Sequence, residues 1–141
     1  MDLEIQSIII SKQYKHMNNP KKVMIVEDDV HVAKVYNMEL TQKGFETILA
    51  VDGEEAIAKI TSEVPDLIIL DLMLPKKDGF AVLEEIKKNP ILAKIPVIVL
   101  SNLGQDSDKM RAEELGVNEY LIKVQHSIQE VVEKVESYLV K

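Results

Sequence analysis

Asp71 closes the apolar run Leu67-Ile68-Ile69-Leu70, and Glu27-Asp28-Asp29 closes a second run, Val23-Met24-Ile25-Val26. If both runs are strands of a parallel sheet, their ends share the edge at which open α/β folds bind ligands, and the acids converge on one site. Clustered carboxylates repel, so such a site calls for a hard cation. Mg²⁺ takes oxygen ligands at about 2.0–2.1 Å and uses one or two carboxylates together with substrate phosphate. Asp28 and Asp71 can supply those carboxylates. With the phosphate charge neutralised, a carboxylate oxygen can attack phosphorus and form an acyl phosphate. Asp71 stands alone on its strand and is the better nucleophile. Two more apolar runs end in groups this chemistry uses: Ser101 after Val97-Ile98-Val99-Leu100, and Lys123 after Tyr120-Leu121-Ile122. A phosphoryl group on Asp71 has oxygens that can accept from Ser101 and pair with Lys123.

Positioning these residues requires βα units around a parallel sheet, and from residue 22 onward short apolar runs do alternate with amphipathic segments. Five strands are predicted near residues 22–27, 46–50, 66–71, 97–101 and 119–123. Nearly all-apolar strands need cover on both faces, which right-handed crossovers through helices provide. A first helix over about 30–43 presents Val32, Val35, Tyr36, Met38 and Leu40 to the sheet and stops at Gly44. A second starts from an Asp52 cap, with Ala56, Ile57 and Ile60 as its stripe. A third, about 79–89, buries Phe80, Val82, Leu83 and Ile86 and ends before Pro90. The fourth, about 107–115, has few apolar anchors, chiefly Met110 and Leu115. The fifth opens with the capping-box pattern Ser127-Ile128-Gln129-Glu130 and carries Ile128, Val131, Val132, Val135, Tyr138 and Leu139 at helical spacing.

The chain's 141 residues suit one domain, and its hydrophobic content of 46% against 29% charged is a globular balance. There is no cysteine, which excludes disulfides and thiolate chemistry; His16, His31 and His126 are scattered singly. Residues 1–22 carry four lysines against Asp2 and Glu4, whereas the rest carries 13 basic against 22 acidic groups. An acidic domain is a poor match for nucleic acid, so direct nucleic-acid binding is not expected. No run approaches the roughly 20 apolar residues of a membrane span, so no membrane insertion is expected and the default location is cytoplasmic. Asn18-Asn19-Pro20 punctuates the chain before the first strand. Residues 1–20 therefore read as a loosely packed N-terminal extension or short docking helix, and 21–141 as the folded domain. With the fifth helix running to the last residues, no output module is expected.

Over about residues 21–140 the chain resembles the receiver domain of bacterial two-component response regulators, particularly the stand-alone chemotaxis and sporulation-relay types. The resemblance rests on the strand-end residues and on the loop Asp71-Leu72-Met73-Leu74-Pro75-Lys76-Lys77-Asp78-Gly79. It implies a three-layer, doubly wound (βα)5 flavodoxin-like α/β sandwich with parallel order 2-1-3-4-5. By resemblance Asp71 is the phosphoacceptor, Asp28 binds the metal directly, Glu27 does so through water, and Met73 lends its backbone carbonyl. The implied cofactor is Mg²⁺, with Mn²⁺ as a substitute. Ser101 matches the switch hydroxyl, Lys123 the phosphate-contacting lysine, and Tyr120 the aromatic that turns with Ser101. Asp29 falls at a variable position outside the core site. The chain departs from the family pattern twice: Val124 follows Lys123 where receivers generally have proline, often cis, and Asn102 replaces the usual alanine or glycine. A non-proline cis bond costs about 2.5–4 kcal/mol, so a trans bond and an altered loop are expected at Val124.

The resulting expectation is a single-domain response regulator. It would accept phosphate on Asp71 from a sensor histidine kinase or phosphotransfer protein and signal by phosphorylation-dependent binding of a downstream protein or by phosphorelay. Its only catalysis would be self-catalysed, Mg²⁺-dependent phosphoryl acceptance and dephosphorylation, so it would not be an enzyme in the usual sense. Two alternatives stand beside this. One is a phosphate-independent interaction module. The other is a haloacid-dehalogenase-like aspartyl phosphatase, although such enzymes usually place a second aspartate where this chain has Met73.

Overall fold

The strands are the most apolar stretches of the chain because both faces of the sheet are covered. In the computed structural model, which describes residues 2–7 and 19–140, they are β1 (Lys22–Val26), β2 (Glu46–Ala50), β3 (Leu67–Leu70), β4 (Val97–Ser101) and β5 (Glu119–Ile122). All pair in parallel, in the order β2-β1-β3-β4-β5. The helices between them are α1 (Val30–Gln42), α2 (Gly53–Glu63), α3 (Gly79–Lys88), α4 (Asp106–Glu114) and α5 (Ile128–Leu139). This is the flavodoxin-like (βα)5 sandwich expected from the sequence.

Alternation along the strands divides the core into two. Met24, Val26, Ile68, Leu70, Val97 and Val99 face one side, under α2, α3 and the Ala112 position of α4. Val23, Ile25, Leu67, Ile69, Ile98 and Leu100 face the other, against Tyr36 and Leu40 of α1 and Val131, Val132 and Val135 of α5. Each fully buried aliphatic side chain contributes about 1.5–3 kcal/mol, so these two layers are the principal stabilising term.

Two helices bury only part of the stripe expected of them. On α1 the buried stripe is Ala33, Tyr36 and Leu40, while Val35 and Met38 lie 40% and 52% exposed. On α4, Met110 is exposed and Ala112 is the buried contact, with Leu115 packing beside it. In both cases a small alanine, which carries little hydrophobic signal, is among the buried residues. The predicted capping box of α5 is present, with Ser127 and Glu130 bonded reciprocally. Residues 3–7 are helical and exposed. For residue 1 and residues 8–18, His16 among them, the expectation of loose packing lies outside the described residues. Among the described residues no helix is long and apolar enough to cross a membrane.

The segment joining Asp71 to α3 is held by close backbone approaches. A β-carbon at Gly79 would lie 2.6 Å from both the Asp71 carbonyl oxygen and the Leu72 α-carbon, and one at Gly53 would lie 1.8 Å from the Lys77 carbonyl oxygen. The Gly79 N–H donates to the Leu72 carbonyl at 3.0 Å. Glycine at these two positions lets the loop fold back beside the strand end instead of flaring into solvent. Gly79→Ala and Gly53→Ala should each lower unfolding free energy by about 1–3 kcal/mol or more, as overpacking does. Gly104→Ala, whose added carbon meets nothing nearer than 3.4 Å, should change it by no more than about 0.5 kcal/mol. Urea denaturation checks both. Equal midpoints for all three variants would mean that the loop simply gives way.

Candidate functional site

Parallel register brings the polar strand ends together. Val26 is paired with Leu70 and with Ala50, so Glu27 and Asp71 leave the sheet side by side, and their N–H groups donate to the carbonyls of Ala50 and Val26 at 3.0 Å each. On the other flank Leu70 pairs with Val99 and Ser101 with Ile122, which places Lys123 one residue beyond Ser101 at the same edge.

Asp71 is the centre of the resulting network. The Ser101 hydroxyl donates to Asp71 Oδ1 at 2.8 Å and the Met73 N–H donates to the same oxygen at 3.0 Å. Lys123 Nζ donates to Asp71 Oδ2 at 2.7 Å and also forms an ion pair with Glu27 Oε1. Asp71, Glu27 and Ser101 are buried. Carboxylate oxygens of Glu27, Asp28 and Asp71 lie within 4.8 Å of one another, with Asp28 exposed at the rim. This all-oxygen donor set fits a small divalent cation, since three carboxylates meet here and the one ammonium pairs with only two of them.

Electrostatics follow from burial and pairing. Burial presses the Lys123 ammonium toward neutrality, but its hydrogen bonds and charge attraction to Asp71 and Glu27 outweigh this and hold its pKa above the usual lysine value. Burial raises the Glu27 carboxyl, and the pairing with Lys123 offsets this only in part. The Asp29 carboxylate turns away from Asp71 and caps α1, accepting from His31 N and Val32 N at 2.9 and 3.2 Å, while its backbone N–H donates to Glu27 Oε2 at 3.3 Å.

Tyr120 is half-buried, and its hydroxyl donates to the Leu103 carbonyl at 2.6 Å. The Leu103 N–H in turn donates to Ser101 Oγ at 3.4 Å, so the tyrosine is connected to the serine through one residue of loop backbone. Sequence reasoning did not find Leu103, because it acts through main-chain atoms that its side chain does not reveal. Asn102 does not reach into the Asp71 network; its Oδ1 accepts from the Val124 N–H at 3.3 Å. The Lys123–Val124 bond is trans, with no cis peptide among the described residues.

Residues 23–136 match the response regulator receiver domain family. The chain belongs to that family. It is 37% identical over 105 residues to Probable transcriptional regulator ycf27 of Cyanophora paradoxa, an alignment covering 74% of this chain and 43% of that protein. This receiver spans less than half the length of the curated relatives it matches. Among solved structures it is similar to the phosphorylated cyanobacterial phytochrome response regulator RcpA, with 36% identity, 85% and 94% coverage of the two chains, and a TM-score of 0.78. The Mn²⁺-bound response regulator Rcp1 is similar at 37% identity, 86% and 96% coverage, and a TM-score of 0.77.

The ammonium of Lys123 compensates two buried carboxylates in this receiver. Lys123→Met should therefore cost about 1–3 kcal/mol in a metal-free buffer, the penalty for buried charged groups left without a partner. Because the folded-state pKa is raised, the wild-type contribution is complete below the ordinary value of 10.5 and is lost as pH climbs through the folded value. Chemical denaturation at neutral and at strongly alkaline pH should show the two proteins converging in stability. A constant gap across that range would assign the effect to lost packing instead.

Proposed function

We propose that this receiver accepts a phosphoryl group on Asp71 from the phosphohistidine of a sensor kinase or phosphotransfer protein, and that the phosphorylated form binds a downstream protein or passes the group on. Residues 21–141 would form the receiver unit, with residues 1–20 appended to it. The observation that carries this reading is the convergence of the Ser101 hydroxyl and the Lys123 ammonium on the two oxygens of one buried aspartate, beside the Glu27 and Asp28 carboxylates.

Asp28 and Asp71 would hold Mg²⁺, or Mn²⁺ in its place, directly, with the Met73 carbonyl as a further ligand and Glu27 acting through water. The bound cation supplies charge neutralisation for an incoming phosphoryl group. The chain's own residues do the rest. An Asp71 carboxylate oxygen forms the new bond to phosphorus while the bond from phosphorus to the donor imidazole breaks, its electron pair leaving with the ring. Lys123, already on Asp71 Oδ2, needs only a small shift to pair with a phosphoryl oxygen. Ser101 turns its hydroxyl from Asp71 Oδ1 to another.

That turn supplies a readout. Ser101 Oγ is the acceptor for Leu103 N–H, and the Leu103 carbonyl is the acceptor for the Tyr120 hydroxyl. Moving Ser101 toward a group carrying roughly −1.5 to −2 charges loosens the loop that anchors Tyr120 and remodels the α4–β5 face. α4 suits such a change because its one fully buried residue is Ala112.

Incubation with acetyl phosphate and Mg²⁺ should add one phosphoryl mass to the wild type, read by intact-mass spectrometry. Asp71→Asn should add none, and a chelator should abolish the reaction. An unlabelled wild type, or equal labelling of Asp71→Asn, would sink the proposal.

A further inference from the structure

For Lys123 to stay on Asp71, the backbone leaving β5 must be held, and packing does not hold it. Residues Lys123–Gln125 form a single 3-10 turn, and the side chain of Val124 is 80% exposed. The N–H groups that begin such a turn have no partner within it. The residue before the turn offers no side-chain cap. The Val124 N–H is instead met from a different loop, by Asn102 Oδ1 at 3.3 Å.

The two departures from the family pattern are therefore one feature. A proline at position 124 would have a rigid φ and no N–H to donate. A valine there is freer and leaves a donor that needs an acceptor. An alanine or glycine at 102 could not provide one, whereas the asparagine carboxamide does. We infer that Asn102 is a positioning residue for Lys123: by accepting from Val124 N–H it fixes the Lys123–Gln125 turn and so keeps the ammonium directed at Asp71, replacing a constraint that proline would supply through its ring.

Asn102 adjoins Ser101, so the same bond joins the chain beside the hydroxyl donor to the chain beside the ammonium donor. The two groups proposed to grip the phosphoryl oxygens are thus tied to each other outside the strands as well as through the β4–β5 pairing. This inference rests on the reading of Asp71 as phosphoacceptor and Lys123 as its phosphoryl contact.

The test measures initial labelling rates with acetyl phosphate and Mg²⁺, together with the Val124 amide resonance in ¹H–¹⁵N spectra. Asn102→Leu keeps the bulk and removes the acceptor; Asn102→Ala removes both. Each should slow labelling about threefold to tenfold, the effect of one neutral hydrogen bond, and should shift the Val124 amide and speed its exchange with solvent. In a Val124→Pro background, Asn102→Leu should change the rate by less than about twofold, because the donor is already gone. Asn102→Leu with the wild-type rate and an unmoved amide would overturn the inference, as would an undiminished loss in the proline background. If Val124→Pro does not fold, the Leu and Ala variants and the amide resonance decide alone. A wild type that takes no phosphoryl group fails the functional reading and this inference together. A labelled wild type with unaffected Asn102 variants fails this inference only.

Discussion

One ammonium held between two buried carboxylates governs this molecule's working edge. Lys123 contacts both Asp71 and Glu27 at the mouth of the sheet, where Asp28 adds a third carboxylate. Bringing these groups out of water is costly, and the attraction among them repays it only when every oxygen is engaged. Those of the buried Asp71 and Glu27 are engaged here by Ser101, by the Met73 and Asp29 N–H groups and by Lys123, and among the described residues no buried side-chain polar atom lacks a partner. The balance remains incomplete in charge: one cation faces three anions. The arrangement is satisfied in hydrogen bonds and unsatisfied in electrostatics, a condition that a further cation would relieve.

The fold's contribution is to make that proximity unavoidable. Residues 27, 71, 101 and 123 are far apart in the chain, yet each follows or closes a strand whose register is locked by two buried layers of aliphatic side chains. Slipping any strand by one residue would turn its apolar set to the wrong face. The site is thus positioned by hydrophobic packing that never touches it. The loops are different. The Asp71-to-Gly79 segment is pressed against α2 and α3 by glycine contacts, and the β4–α4 loop by the bonds of Leu103 and Asn102.

That difference explains what the sequence disclosed. Runs such as Leu67–Leu70 ending in Asp71 announce both a buried strand and its ligand edge, because an apolar run and a terminal charge are properties of side-chain type. The α5 capping box was legible for similar reasons, whereas the sheet order came from the family resemblance and not from any residue type. The helix faces of α1 and α4 were legible only in part: Tyr36, Leu40 and Leu115 were expected on the core, whereas the buried Ala33 and Ala112 carry little hydrophobic signal. Leu103 was hidden because its role belongs to backbone atoms. Asn102 and Val124 were visible only as two separate oddities, and nothing in one dimension says that positions 22 residues apart share a hydrogen bond.

Stiff strands and lightly held loops are the physical requirement of a switch. If Asp71, Ser101 and Lys123 lay on mobile elements, a phosphoryl group could be gripped without displacing anything. If the loops were as deeply packed as the strands, displacement would cost more than one new charged group can supply, and populations would not shift. Here Ser101 is fully buried at a strand end, while Leu103, one bond along its network, is only partly buried and Asn102 is exposed. On the proposed reading, a change of partner at Ser101 would be absorbed by the loop instead of the sheet. The Leu103 carbonyl would pass it to Tyr120, a side chain packed against the α2–α3 core layer.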